Sequence, residues 1–275
     1  MIKSRQIAVF LSVAALTVAA CSTSPTGRSQ MIWKSDAELS AESAKQFAEM
    51  TASMPLVTDR ATIDYIACVA NAVVTVLDPP YSEIEWEMRI FDNEAINAFA
   101  MPGGKIGIFE GILNAAQNQD QLAAVIGHEI AHVTSRHVNE RASRGSLTDV
   151  GIQVAAVILG GGHSGATYTA YEALNHGAAL GIMLPFNRGQ ESEADIVGLE
   201  YMARAGFDPR QAVPLWKNMG AQQEKAPAEF MSTHPSNETR TEQLISEWPK
   251  VLPYYNEAVE EGRRADCTPP PRIQR

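Results

Sequence analysis

The sequence of 275 residues lacks several features that would assign it to other classes of protein. After residue 20 no stretch reaches the roughly 18 apolar residues that a membrane-spanning helix needs, so we expect no internal transmembrane segment. Basic residues are outnumbered, since 22 Lys and Arg stand against 32 Asp and Glu. The chain therefore has no basic stripe, and we expect no nucleic-acid partner. No internal repeat is visible, which argues against a solenoid.

Cysteine is scarce as well, and the position of the first cysteine is informative. Residues 1–20 have a positively charged start and an apolar centre, and they end in Val-Ala-Ala before Cys21. This arrangement resembles a bacterial lipoprotein signal peptide, with Cys21 as the lipidated residue. Ser22 follows in place of the aspartate that retains lipoproteins at the inner membrane. We therefore expect an outer-membrane lipoprotein facing the periplasm of a Gram-negative bacterium, although an ordinary signal peptide with an unmodified Cys21 is the alternative.

Two cysteines remain for the folded part of the chain, Cys68 and Cys267. In an oxidising periplasm two such thiols often pair, and a bridge here would fasten the C-terminal tail, residues 263–275, to an early helix. Two unpaired thiols are the alternative. Residues 21–30 are polar and rich in turn formers, which suits a tether between a lipid and a domain.

Residues 31–262 are predicted to form one domain that is mainly helical with a small β-sheet, an α+β fold. Alternating apolar residues predict strands over 85–91, 97–101 and 105–109, with a Pro-Gly-Gly turn between the last two. Helical spacing predicts helices over residues 36–54, 59–77, 119–142, 146–159, 170–183, 187–205 and 237–249.

The most informative motif is His128-Glu129-Ile130-Ala131-His132 within the predicted helix 119–142. Residues four apart share one face of a helix, so His128 and His132 can bind one metal ion. Glu129 can then reach a water on that ion. This arrangement predicts a single catalytic Zn²⁺, which activates water and polarises a carbonyl.

A catalytic zinc needs a third protein ligand, and an acidic cluster on a later helix can supply it. Glu191 shares a helix face with Ala194, Asp195 and Gly198, and these small residues would let that helix approach the histidines closely. We therefore expect Glu191, and not Glu193, to be the ligand. Asp195, one turn further on, is expected to accept a hydrogen bond from a ligating imidazole.

The two motifs together resemble the zinc metallopeptidases that include HtpX and the CAAX prenyl proteases. The resemblance extends through residues 97–104, 120–127, 188–191 and 232–235, and it covers residues 31–247. It implies a zincin-like fold, zinc ligation by His128, His132 and Glu191, and Glu129 as general base. The chain lacks the membrane helices of the integral-membrane members, and it looks like a periplasmic lipoprotein branch of the family.

The strand that precedes the metal-binding helix is a candidate substrate site. Asn97, Ala98, Phe99 and Ala100 could form an edge strand to which an extended peptide adds as a new strand. An ordinary core strand is the alternative. Cleavage on such an edge would depend more on an extended conformation than on sequence.

Two further residues lie in or near the expected mobile loop over residues 224–235. His234 could occupy the fourth zinc position at rest and displace the water, and a capping or surface histidine is the alternative. Arg240 is a weak candidate for stabilising the oxyanion. We expect a zinc endopeptidase that acts on unfolded or misassembled polypeptides, with a chaperone-like assembly factor that has a structural or vestigial zinc site as the alternative. The oligomeric state stays open.

Overall fold

A computed structural model describes residues 21–144, 183–223, 234 and 239–271. The predicted signal peptide and the predicted helices over 146–159 and 170–182 lie outside these residues. Contacts divide the described chain into two compact units, residues 21–35 with 136–144, and residues 36–135 with 183–223, 234 and 239–271. The single domain expected over residues 31–262 stays a prediction.

The first unit contains a hairpin of two short antiparallel strands, β1 (Cys21–Thr23) and β2 (Ser29–Met31). Arg28 in this hairpin donates two hydrogen bonds, of 2.9 and 2.7 Å, to the carboxylate of Glu140 in a helical segment over residues 137–144. Ser143 Oγ in the same segment accepts a hydrogen bond of 3.1 Å from the backbone N–H of Trp33. The segment that follows Cys21 is therefore an ordered hairpin fastened to a helix.

The second unit contains most of the described helices. In chain order they are α1 (Asp36–Ser53), α2 (Arg60–Thr75), a 3₁₀ turn (Glu110–Asn114), α3 (Gln119–Thr134), α4 (Met183–Arg204), a second 3₁₀ turn (Pro209–Gln211), α5 (Ala212–Gln223) and α6 (Arg240–Glu260). The helix starts follow from capping, since Asp59 and Asn118 accept hydrogen bonds from the backbone of Thr62 and Gln121. Gly206 has a φ of 82° just after α4, as predicted for a glycine that ends a helix.

The sheet of the second unit has three strands, β3 (Glu87–Phe91), β4 (Ala98–Met101) and β5 (Lys105–Phe109). Their spatial order is β3-β5-β4, with β5 parallel to β3 and antiparallel to β4. Gly103 and Gly104 form the predicted turn between β4 and β5, and both have positive φ values, of 81° and 74°. Among the described strands, β4 therefore lies at one edge of this sheet.

Helix α3 is the centre of the second unit, because every residue from Asp120 to Thr134 is buried. It packs against α2, α4, α5 and β4. A helix buried on all sides gives rigid positions to the polar side chains that it carries. The predicted α+β class, mainly helical with small sheets, is confirmed. None of the described helices combines the length and the apolar character needed to cross a membrane.

Two helix predictions differ from the structure. The predicted helix over 119–142 is interrupted, since α3 ends at Thr134 and Arg136 adopts a left-handed φ of 57° before residues 137–144 become helical again. The final helix was expected to end at Pro249, but α6 continues through Pro249 and Pro253 to Glu260. Both prolines are exposed, so their rings and their missing N–H groups face solvent and not the core.

Candidate metal centre

Four side chains with metal-binding atoms meet in the second unit. His128 and His132 come from one face of α3, Glu191 comes from α4, and His234 lies in the chain that precedes α6. Their potential ligand atoms all lie within 4.8 Å of one another. The structure therefore brings together the side chains of the three expected ligands and of the candidate fourth ligand.

The spacing of these atoms fits a tetrahedral ion. His128 Nε2 lies 3.1 Å from His132 Nε2, 3.3 Å from His234 Nδ1 and 3.3 Å from Glu191 Oε2. Glu191 Oε1 lies 3.4 Å from His132 Nε2 and 3.1 Å from His234 Nδ1. Ligands about 2.1 Å from a tetrahedral zinc are about 3.4 Å from each other, so three imidazoles and a carboxylate at these distances are a suitable donor set.

A close crossing of α3 and α4 brings Glu191 to the histidines. Gly127 and Gly198 face each other there, and a Cβ on Gly127 would lie 2.8 Å from the carbonyl oxygen of Gly198. A Cβ on Gly198 would lie 2.8 Å from the backbone nitrogen of His128. Ala194, which is fully buried, lies between this crossing and Glu191. Small residues on both helices therefore permit the approach on which the ligand set depends.

Asp195 and Arg240 support His128 from the side opposite the ligand atoms. His128 Nδ1 lies 3.0 Å from Asp195 Oδ1. Arg240 donates two hydrogen bonds of 2.6 Å to Asp195, through Nε and Nη2. Its guanidinium lies flat over Trp216, with Cζ 3.3 Å from the ring centroid. When Nδ1 of His128 donates to Asp195, the lone pair of Nε2 is directed at the ligand group.

Glu129 lies beside the ligand group without belonging to it. Its Oε1 atom is buried, has no hydrogen-bond partner in the described part of the chain, and lies 3.5 Å from His234 Nε2. Burial raises the pKa of Glu129, and the positive charges of His234 and His128 oppose that rise. The backbone N–H of Ala100 also interacts with this carboxylate. A buried carboxylate oxygen that accepts no hydrogen bond is suited to accept a proton at this position.

The electrostatics of the metal-free centre favour a protonated His128. Burial lowers the pKa of His128, but hydrogen bonds to Asp195 and Glu191 outweigh it and raise the pKa to about 9. Burial raises the pKa of Glu191, yet its hydrogen bonds to His128 and His234 hold that pKa well below its ordinary value. Burial also opposes ionisation of Asp195, and the charge of Arg240 lowers its pKa nevertheless. The ionised carboxylates of Glu191 and Asp195 thus favour positive charge on His128.

The edge strand β4 lies next to Glu129. The backbone N–H of Phe109 bonds to the carbonyl of Asn97 at 3.0 Å, so residues 97, 99 and 101 pair with β5. The backbone groups of Ala98 and Ala100 then point away from β5, toward the edge that the described strands leave open. The backbone N–H of Ala100 that interacts with Glu129 points toward this edge. The side chain of Phe99 packs over Gly107, where an added Cβ would lie 2.1 Å from the Phe99 ring.

Other predicted residues are placed elsewhere. Glu193 is buried but does not belong to the ligand group. Arg240 does not face the open side of the ligand group, because it is 4% exposed and its guanidinium is engaged by Asp195 and Trp216. Cys68 of α2 and Cys267 are joined by a disulfide. Sequence analysis missed Trp216 and Gly127, because no local pattern indicates which helix will cross another at those positions.

Comparison with known proteins gives a family for this site. The sequence model of peptidase family M48 matches residues 61–247, which include His128, Glu129, His132, Glu191 and His234. The mitochondrial metalloendopeptidase OMA1 of Schizosaccharomyces pombe is 38% identical over 208 residues, which are 74% of this chain and 56% of that protein. The OMA1 of Saccharomyces cerevisiae is 33% identical over 67% of this chain and 51% of its own length.

A bacterial relative matches at a similar level. The beta-barrel assembly-enhancing protease of Yersinia pestis is 32% identical over 199 residues, 70% of this chain and 40% of that protein. The chain thus spans about half, or less, of the length of these curated relatives.

Proposed function

Because this chain belongs to peptidase family M48, a family of zinc metallopeptidases, we propose that it is a zinc-dependent endopeptidase. The observation that carries the proposal is Glu129, a buried carboxylate that lies beside four metal-binding side chains without being one of them, with an oxygen that accepts no hydrogen bond from the described residues. A metal-binding site that served only to hold the fold together would not need this carboxylate. The helix that carries the motif would then be the active-site helix of a zincin-like fold.

In this proposal His128, His132 and Glu191 hold one zinc ion, which fits the spacing of their ligand atoms. When bound, zinc supplies Lewis acidity, since it lowers the pKa of water and polarises a carbonyl. Asp195 keeps His128 oriented through the contact at Nδ1. Glu129 takes a proton from the attacking water and passes it to the leaving amine. Burial raises the pKa of Glu129, and a carboxylate of higher pKa is a stronger base toward the attacking water.

The substrate would bind as an added strand on β4. The outward backbone groups of Ala98 and the outward carbonyl of Ala100 can pair with an extended peptide, while the N–H of Ala100 interacts with Glu129. Asn97 and Phe99 would support this edge from within the sheet. Main-chain pairing of this kind favours extended, unfolded segments over any one sequence.

The decisive experiment is casein cleavage by the purified chain with and without a chelator, together with Glu129→Gln. The glutamine variant should bind zinc as wild type does, while its cleavage rate should fall by at least about 100-fold, the scale of a lost general base. A glutamine variant that binds zinc and still cleaves at the wild-type rate would falsify this mechanism.

One observation favours a second function, a chaperone-like assembly factor with a structural zinc site. His234 completes a set of four protein ligands, and sites closed by four ligands are usually structural. Under this alternative, protection of an unfolded client from aggregation would persist in Glu129→Gln and no cleavage would be seen in wild type. The same casein assay, followed by light scattering and by gel, separates the two functions.

We place His234 as a gate that closes the site at rest. Its Nδ1 lies 3.3 Å from His128 Nε2 and 3.1 Å from both oxygens of Glu191, where a water would otherwise be held. Substrate would have to displace His234 before Glu129 could act on a water. The gate accounts for a four-ligand set in an enzyme that needs three.

The substrates we propose are misfolded or unassembled proteins of the periplasm and outer membrane. The name of the Yersinia pestis relative concerns β-barrel assembly, and this supports a similar role here. We further propose that the chain is a periplasmic lipoprotein, and lipidation of Cys21 would then place it at the outer membrane. Cys21→Ser should move the protein from the membrane fraction to the soluble periplasmic fraction. A variant that still sediments with membranes would rule out the lipid anchor.

A further inference from the structure

Arg240 lies where four helices meet at the metal centre. It belongs to the first turn of α6, and its side chain is 4% exposed. It contacts Asp195 of α4 and Trp216 of α5, and its Nη2 atom lies 3.5 Å from His128 Nδ1 of α3. Arg240 also reaches the ligand group, because Nη2 lies 3.9 Å from Glu191 Oε2. One guanidinium thus lies close to two carboxylates and one imidazole of the site.

We propose that Arg240 is a positioning residue for the metal, acting through Asp195 to fix the orientation and tautomer of His128. The inference rests on the proposed role of His128 as a ligand, and it replaces the oxyanion role suggested by sequence. Arg240 cannot be a catalytic residue in this geometry, because its guanidinium is buried behind His128, on the Nδ1 side of that ring.

The reason that Asp195 needs Arg240 is the cost of a buried charge. Asp195 is 5% exposed and can orient His128 only while its carboxylate is ionised and held in place. Arg240 supplies the opposite charge, and its two parallel hydrogen bonds of 2.6 Å fix both oxygens of that carboxylate. Without Arg240 the carboxylate would lose the two hydrogen bonds that fix its oxygens and could rotate away from Nδ1 of His128.

Trp216 packs against the planar guanidinium and holds it in position. The ring lies 3.3 Å from Cζ of Arg240, and it also meets the ring of His128 edge to face, with centroids 5.6 Å apart. A lysine at position 240 would keep the charge but could not donate the two parallel hydrogen bonds or stack as a plane. The proposal therefore predicts that charge alone does not replace Arg240.

The test is the zinc affinity of the full-length protein, measured by competition with a chromophoric chelator. We expect Arg240→Gln to weaken zinc binding by about tenfold or more, the usual scale for groups that orient a metal ligand. Arg240→Lys should recover only part of this loss. A matched control is Arg204→Gln. Arg204 of α4 donates two hydrogen bonds, of 2.8 and 3.0 Å, to Asp78, and this ion pair lies far from the ligand group. That control should keep wild-type affinity.

A double-variant comparison separates positioning from general stability. If Arg240 acts through Asp195, then Asp195→Asn with Arg240→Gln should bind zinc no more weakly than Asp195→Asn alone. Losses that multiply would overturn the proposal, as would wild-type affinity in Arg240→Gln. Should the glutamine variant fail to fold, Arg240→Lys decides, because wild-type affinity there would show that the stacked, two-bond geometry is unnecessary. None of these readings requires proteolysis, so they stand even if the proposed activity fails.

Discussion

The proton on His128 links the metal centre to pH. With its pKa raised to about 9, the metal-free His128 keeps its proton at neutral pH. A protonated imidazole cannot bind a metal, so zinc must displace that proton. Because the folded-state pKa exceeds the ordinary value of 6.5, this group stabilises the metal-free fold fully below about pH 6.5 and loses that contribution as pH rises through about 9.

Zinc binding near neutral pH should therefore release protons. We expect about one proton per zinc from His128 at pH 7.5, falling toward zero above about pH 9. Calorimetric titration in buffers of different ionisation enthalpy measures the number directly. Asp195→Asn is the control, because it removes a hydrogen bond that raises the pKa of His128, and its release at pH 7.5 should be smaller. Equal release at pH 7.5 and pH 9.5 would contradict this protonation scheme.

His234 permits a test of the gate at a single residue. His234→Ala removes one of four ligand atoms and opens the position that Glu129 faces. We expect casein cleavage to increase, by roughly threefold to tenfold if the closed state predominates at rest. Zinc affinity should fall modestly, since three ligands remain. Unchanged or lower cleavage at saturating zinc would count against a gate.

Individual residues differed in how far sequence could place them. His128, Glu129 and His132 follow from helical spacing alone, because a fixed 3.6-residue turn puts them on adjoining faces. Glu191 required the additional argument that small neighbours allow a close helix approach, and its carboxylate does lie beside the two imidazoles. Arg240 was predicted only as a candidate for stabilising the oxyanion, and its contacts with Asp195 and Trp216 could not be predicted, because these partners lie on two other helices and no local spacing relates them.

At the scale of helices, the site depends on how closely α3 and α4 cross. Glycine is needed on both sides of that crossing, because a side chain on either helix would meet the backbone of the other. Such a clash would also change the position of residues away from the crossing. It would move Glu191, which lies on α4 two turns before Gly198, away from the imidazoles.

Gly198→Ala should therefore weaken both the fold and the metal site. We expect the free energy of unfolding to fall by about 1–3 kcal/mol, the usual cost of overpacking, with a parallel loss of zinc affinity. Gly220→Ala in α5 is the matched control, because a Cβ at Gly220 would meet nothing within 4 Å. That control should leave zinc affinity unchanged and raise stability slightly through helix propensity. Chemical denaturation with and without zinc provides both values, and normal zinc affinity in Gly198→Ala would exclude the crossing as its determinant.

The ends of helices were the least predictable feature at this scale. Apolar periodicity continues past Thr134, yet α3 stops there and Arg136 turns the chain into the other unit. Pro249 suggested an end for the last helix, but α6 tolerates it on an exposed face and continues for more than two turns. Both outcomes are set by tertiary packing, which local sequence does not contain.

At the scale of the whole chain, residues remote in sequence are fastened to the ends of α3 and α4. The Cys68–Cys267 disulfide closes a loop with a sequence separation of 199 and attaches the C-terminal tail to α2. The backbone N–H of Cys267 donates a 2.9 Å hydrogen bond to Gln119, the first residue of α3. Arg263 also contacts the carbonyl of Arg204, the last residue of α4. The tail therefore holds the ends of the helices that carry the ligands. Oxidising surroundings made a cysteine pair plausible from sequence, whereas these backbone contacts had no sequence signal.

Opening this disulfide should destabilise the second unit while leaving the ligand set in place. Cross-links that close long loops typically contribute about 2–5 kcal/mol, so Cys68→Ser should lower the free energy of unfolding by that amount. Cys267→Ser and the double variant should lose the same amount as Cys68→Ser, because all three remove one bond. In thermal unfolding, a reductant should lower the midpoint of the wild-type protein to that of Cys68→Ser. Below that midpoint zinc affinity should change by less than about threefold, since Cys68 and Cys267 do not belong to the group of metal-binding side chains. A midpoint that is insensitive to reductant would mean that the tail is held by its backbone hydrogen bonds alone, and a large loss of zinc would mean that the tail controls the centre itself.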